Sequence, residues 1–171
     1  MAIEVSPEAV ERLIAGQSTL GEFVKMNRDT QYAIARVAHG LLQTGAPDKA
    51  LTLYRGLVAL SPRDSVFHGH LAAAYLALER FEEALHHYGQ AIAHNLANVD
   101  ALAARGELLL RMGKVQEAAL DLASAVKADA GKASPAAQRA AGLLRMLSER
   151  AAESAGAAKR LPARKKKPAK K

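Results

Sequence analysis

Cysteine is absent from the 171-residue chain, which excludes a disulfide framework and a thiol nucleophile and fits a reducing cytosol. Aromatic residues make up only 4% while half the residues are hydrophobic, and a chain rich in Ala and Leu but poor in rings suits helices over strands. No apolar run approaches the length of a membrane span, and the first residues lack the charged-then-apolar layout of a signal peptide. A soluble cytoplasmic protein is therefore expected. There is no Gly-rich phosphate loop and no Gly-x-Ser-x-Gly elbow, and acids such as Glu82 and Glu83 read as scattered helix-surface charges. Catalysis and a cofactor are not expected.

What the sequence does contain is a period of 34. Ala50, Ala84 and Ala118 are each 34 residues apart, and each is followed four residues later by a bulky residue, Tyr54, Tyr88 or Leu122. The pattern is fullest between residues 65 and 98, where Leu71 and Ala72, Tyr75, Phe81, Ala84 and Tyr88 occur in order. That period belongs to the tetratricopeptide repeat (TPR), an antiparallel helix pair. Two helix axes approach closely only where side chains are small. Ala38, Ala72 and Gly106 supply that position on the first helix of each pair, and Ala50, Ala84 and Ala118 on the second. A single pair cannot bury its apolar face, so three must stack.

The reading is an all-α solenoid of three TPR pairs (31–64, 65–98 and 99–132, within a repeat region of 29–132), with short helices over 1–28, a capping helix over 133–155 and a disordered basic tail over 156–171. Ser6 and Pro7 open the first short helix and a Thr19–Glu22 capping box opens the second. Asp29 or Thr30 is expected to start the first repeat helix. Arg105 occupies a slot that is usually apolar, so the third unit is expected to be the loosest. Helices as short as those of the leader do not persist alone in water. Their apolar residues must cover the first repeat or another subunit, and a homodimer burying Leu13, Leu20 and Phe23 is expected.

The net charge of +7 is carried by one end. Beyond Ala158 there are eight cations and no acid, while the rest of the chain has 16 cations against 17 acids. Such a segment either makes weak, salt-sensitive contact with a polyanion or only solubilises the chain. No aromatics are interleaved for base stacking, which excludes sequence-specific nucleic-acid readout.

Thr19-Leu20, Glu22-Phe23, Asp29, Tyr32-Ala33, Gln43-Thr44-Gly45, Ala50, Asp64-Ser65 and Phe67 together resemble the class II type III secretion chaperones, the LcrH/SycD type of translocator chaperone. The resemblance covers residues 19 to 128. It implies a non-enzymatic bacterial cytosolic protein that keeps hydrophobic translocator subunits soluble before export. An extended client segment would lie in the concave face of the repeats, and dimerisation would use the leader. That family tends to carry several aromatics on the first inward-facing helix; here Tyr32 is followed by Ala35, His39 and Leu42.

Helix register places Tyr32, Ala35, His39 and Leu42, then Val66, Gly69, His70 and Ala73, then Ala103, Glu107 and Leu110 on the inner face, a mixture of apolar surface and polar handles suited to a peptide. A TPR scaffold for other partners and a tail-driven nucleic-acid binder are the alternatives. His86 and His87 follow Glu82 and Glu83 at helical spacing, but the HExxH order is absent and His68 and His70 lie on different sides of a helix. No metal site is expected.

Overall fold

Three turns 34 residues apart set the architecture. Gly45, Glu79 and Gly113 adopt left-handed φ angles of 76°, 57° and 76°, and each ends one helix and admits the next. The structure is a computed structural model that describes residues 6–129, 131 and 134–160. In chain order its helices are α1 (Pro7–Ile14), α2 (Leu20–Phe23), α3 (Arg28–Gln43), α4 (Pro47–Leu60), α5 (Ser65–Ala77), α6 (Phe81–His94), α7 (Val99–Arg111), α8 (Val115–Ala128) and α9 (Pro135–Arg160). None of them is long and apolar enough to cross a membrane.

The turns share one hydrogen-bond arrangement. The N–H groups of Gly45, Glu79 and Gly113 donate to the carbonyls of Leu42, Leu76 and Leu110, and those of Ala46, Arg80 and Lys114 donate to Leu41, Tyr75 and Leu109. This double closure satisfies carbonyls left over at the end of α3, α5 and α7. Ala46, Arg80 and Lys114 then act as N-caps of α4, α6 and α8 without side-chain help. The first helix of each pair is capped by a side chain instead: Asn27 accepts from the Thr30 N–H, Asp64 from Val66 and Phe67, and Asn98 from Ala101. Asn27 therefore starts α3, in place of the expected Asp29 or Thr30, because its side-chain oxygen reaches the third N–H of the helix.

The small residues expected at the helix crossings are where the pairs meet. Ala38, Ala50, Ala72, Ala84 and Ala118 are fully buried. At Gly106 an added Cβ would stand 2.8 Å from Leu122 Cγ and 3.3 Å from the Ala118 carbonyl. Tyr54, Tyr88 and Leu122 fill the seams. The buried Tyr54 hydroxyl donates to the Ala35 carbonyl at 3.2 Å, tying α4 to α3.

Two further expectations are corrected. The third pair is not the loosest: α7 and α8 pack nearly as closely as α5 and α6, and more closely than α3 and α4. Arg105 is accommodated by a two-pronged bond to Asp121 at 2.6 and 2.7 Å, so its charge is neutralised at the seam. Helix α9 also runs five residues past the expected boundary at 155, through Gly156 to Arg160. Its alanine content favours continued helix more than one glycine opposes it. The remainder of the basic tail, 161–171, lies outside the described residues.

The leader seats on the first repeat through α2. Gly21 is buried with the Leu60 carbonyl so near that a Cβ would lie 2.6 Å from its oxygen. The capping box at Thr19 and Glu22 is present. Behind it Gln31, buried, donates to the Met26 carbonyl and accepts from the Ser61 hydroxyl at 2.7 Å. At the other end Ala136, Ala137 and Ala140 of α9 are buried against the third repeat, with Leu143, Leu144 and Leu147 partly covered.

Replacing Gly106 by Val should cost about 1–3 kcal/mol through overpacking against Leu122, and Gly113→Ala about 1 kcal/mol through its left-handed backbone. Each should appear in urea titration as a lower midpoint with an unchanged slope. Glu79→Gly, which relieves the same backbone penalty, should be neutral or stabilising.

Candidate functional site

Helices α3, α5 and α7 lie side by side, and between them run two adjoining depressions. The first, about 320 Å³, is lined by Tyr32, Ala35, Arg36, His39, Val66 and His70, with a wall mostly of carbon. The second, about 380 Å³, shares His39, Val66 and His70 and continues over Gly69, Ala73 and Ala101 to Asp100 and Arg139. Together they form an open trough across the repeats. Its far end is bounded by Arg139 of α9, which bonds Glu107 at 3.2 Å. The terminal helix thus closes one end and leaves the stretch between α3 and α5 uncovered.

Seven of the residues expected on the inner face line the trough: Tyr32, Ala35, His39, Val66, Gly69, His70 and Ala73. Four do not. Ala103 is fully buried in the core, Leu42 and Leu110 are half-buried against it, and Glu107 is held by Arg139. On α7 the lining stripe is Ala101 and Ala104, with Asn98 and Asp100 at its start. The repeat itself carries the missing signal, since residues 34 after Val66 and His70 are Asp100 and Ala104, and 34 before His70 is Arg36. Tyr88 and Arg139 come from α6 and α9, outside any reading confined to the first helix of each pair.

The entrance is held by one carboxylate. Asp64 caps α5 through one oxygen and with the other accepts from Arg28 at 2.9 Å and from the Tyr32 hydroxyl at 3.1 Å. The Tyr32 ring rests on Phe67 with centroids 5.1 Å apart. Burial first, then the nearby Asp64 charge, raises the pKa of this phenol, so it stays a donor. At the trough's centre His70 stacks on Tyr54 at 5.4 Å and meets His39 at 5.8 Å. Burial lowers the His70 pKa.

A second histidine group lies on the opposite side of α5. His68 Nε2 is 3.0 Å from the Pro62 carbonyl and must donate to it, which leaves Nδ1 to accept from His87 Nδ1 at 3.1 Å. The His87 ring stacks on Tyr75 at 5.5 Å and meets His86 edge to face. Among the described residues no cluster of His and acids is arranged to hold a metal. Burial, then the neighbouring His68 and His86, lowers the His87 pKa to about 4, and burial lowers that of His68.

A tetratricopeptide-repeat family model matches residues 41–86. The fold is that of a TPR solenoid. The comparison with curated proteins returned no match. Among solved structures, the type III secretion translocator chaperone SycD of Yersinia enterocolitica superposes with a TM-score of 0.70 at 23% identity, covering 75% of this chain and 98% of that one. SycD has also been solved as an alternative dimer and with a peptide of the translocator YopD. A type III secretion complex from Aeromonas hydrophila gives 0.73 at 23% identity, covering 84% and 97%. PcrH bound to the chaperone-binding region of PopB gives 0.64 at 22%, covering 70% and 98%. At these identities the likeness is one of fold.

The histidine pair makes the stability of the TPR fold pH-dependent. In the unfolded chain both rings titrate near 6.5, whereas the folded pKa values lie lower. The unfolded state therefore gains protons first, so this contribution is complete above about pH 6.5 and is lost as pH falls toward 4. Calorimetry should show a lower Tm at pH 4.5 than at pH 7.5. His87→Phe, which keeps a ring against Tyr75, should lessen the difference.

Proposed function

We propose that this chain is a bacterial cytosolic export chaperone, not an enzyme, that holds an extended segment of a hydrophobic translocator protein in the trough between α3, α5 and α7. The observation that carries this reading is the carbon-walled depression bounded by Tyr32, Ala35 and Val66, left open in the middle of a folded body. Open apolar concavities with a few polar groups at their rim are suited to a covering ligand. The occupant is assigned from the shared fold, which in SycD and PcrH accompanies bound translocator segments, and from the resemblance carried by the leader and first repeat. An open apolar trough with polar groups at its rim admits an extended backbone and takes up alternate side chains. A clamp for a terminal carboxylate is less well supported: of the two arginines in the lining, Arg139 is already paired with Glu107.

Self-association completes the reading. Helix α1 packs on α2 and α2 on α4, leaving Ile14 81% and Leu20 39% exposed and Leu13 half-buried. The side chain of Phe23 lies outside the described residues. These leader residues are the proposed dimer surface.

Fluorescence-anisotropy titration with the YopD peptide tests the client site. Binding in the micromolar range is expected, and Ala73→Trp, which fills the trough, should weaken it by at least about tenfold, equivalent to about 1.4 kcal/mol, with an unchanged helical spectrum. Undiminished binding to a folded Ala73→Trp protein would place the client elsewhere. In sedimentation equilibrium the parent should be dimeric, and Ile14→Asp with Leu20→Asp monomeric.

A further inference from the structure

The trough assigned above to a client segment has an unusual floor. Both depressions share His39 and His70; His70 stacks on the buried Tyr54, and His39 meets His70 at a tilt of 59° with centroids 5.8 Å apart. We propose that His39 and His70 determine what the trough accepts. Neutral, they are an aromatic platform for an uncharged apolar side chain; with a proton on the pair, the same platform is cationic and rejects it. The proposal rests on the chaperone reading and adds to it a specificity determinant and a release condition.

The geometry favours a neutral His70 at rest. The Gln43 side-chain amide lies 3.4 Å from His39 Nε2 and holds that ring beside His70. His70 is packed face to face on Tyr54 with an interplanar angle of 15°, and burial first, then His39, disfavours its protonated form. The charged and titratable groups facing the pair do little to offset a new cation. Helix α3 adds Arg36, itself a cation, and α4 adds Tyr54, whose phenol burial pushes up to about 12. Helix α6 adds Tyr88, also pushed up to about 12, and α9 adds Arg139, already bonded to Glu107 of α7. Two carboxylates favour protonation of His70. Asp64 is engaged by Arg28 and Tyr32, and Asp100 lies exposed at the start of α7.

The sign of the effect follows from desolvation. An apolar side chain laid over His70 removes more water from a ring that already resists protonation, so the bound pKa lies below the free one. Affinity is then complete when His70 is neutral and is lost as pH falls through its titration in the free protein. A client carrying a basic residue at that position would be refused at any pH, through like-charge repulsion with Arg36 and the loss of cation hydration.

The test combines two readouts on the full chain. In anisotropy titrations with the YopD peptide, affinity should fall about tenfold between pH 7.5 and pH 5. For His70→Phe combined with His39→Phe, which keep a ring at each position, the change should be less than about twofold. A pH-independent affinity in the parent, or an undiminished pH dependence in the double variant, would overturn the proposal. The second readout needs no client: in ring-resolved NMR titrations His70 should titrate below an ordinary histidine, and His39→Phe should move it upward. An ordinary His70 titration unaffected by His39→Phe would overturn the proposal. Failure of the peptide to bind at pH 7.5, with the ring coupling present, would count against the client class and leave the coupled pair supported.

Discussion

Every larger feature of this molecule depends on how closely two helices can lie. The clearest case is Gly106, where Leu122 occupies the space a β-carbon would need. Buried alanines do the same work at the other crossings. Because the crossings recur every 34 residues, each pair is offset from the last by a similar step, and α3, α5 and α7 come to lie along one side. The trough is a product of that repetition. Its exposed lining residues, such as Arg36, His39 and Val66, are not part of the buried core, which leaves that part of the lining free to vary in chemistry while the shape persists.

Polar contacts decide the details that small residues leave open. Gln31, Asp64 and Arg105 each sit where an apolar side chain could have packed, and each is satisfied: Gln31 by Met26 and Ser61, Asp64 by two backbone N–H groups, an arginine and a phenol, and Arg105 by Asp121. A buried polar group without partners would cost more than an apolar one in its place. With partners it ties fixed positions on neighbouring elements together. Gln31 does this for the leader and first repeat, and Arg105 for the third pair.

The fold was legible in the sequence because its cause is local and periodic. Alanines and bulky residues at a fixed spacing identify the crossings, and Gly45 and Gly113 mark two of the three turns. The turn at Glu79 was hidden, since a glutamate there gives no hint of a left-handed backbone that only tertiary packing imposes. The lining was legible on α3 and α5, where Tyr32, Val66 and His70 stand in a clear stripe. It was misplaced on α7, where a run of Ala and Leu lets several helical phases look alike, and Ala103 faces the core while Ala101 and Ala104 face the trough. Ion pairs such as Arg105 with Asp121 lie on different helices, and pattern reading along one helix does not join them.

The position of Asp64 has a wider consequence. The carboxylate that begins the second repeat also anchors the aromatic ring at the mouth of the trough. One oxygen of Asp64 orders the first turn of α5 while the other holds Tyr32, so the mouth of the cleft and the start of a repeat helix share a single side chain. A substitution at that one position would therefore disturb the backbone and the cleft together, although neither is a neighbour of the other along the chain.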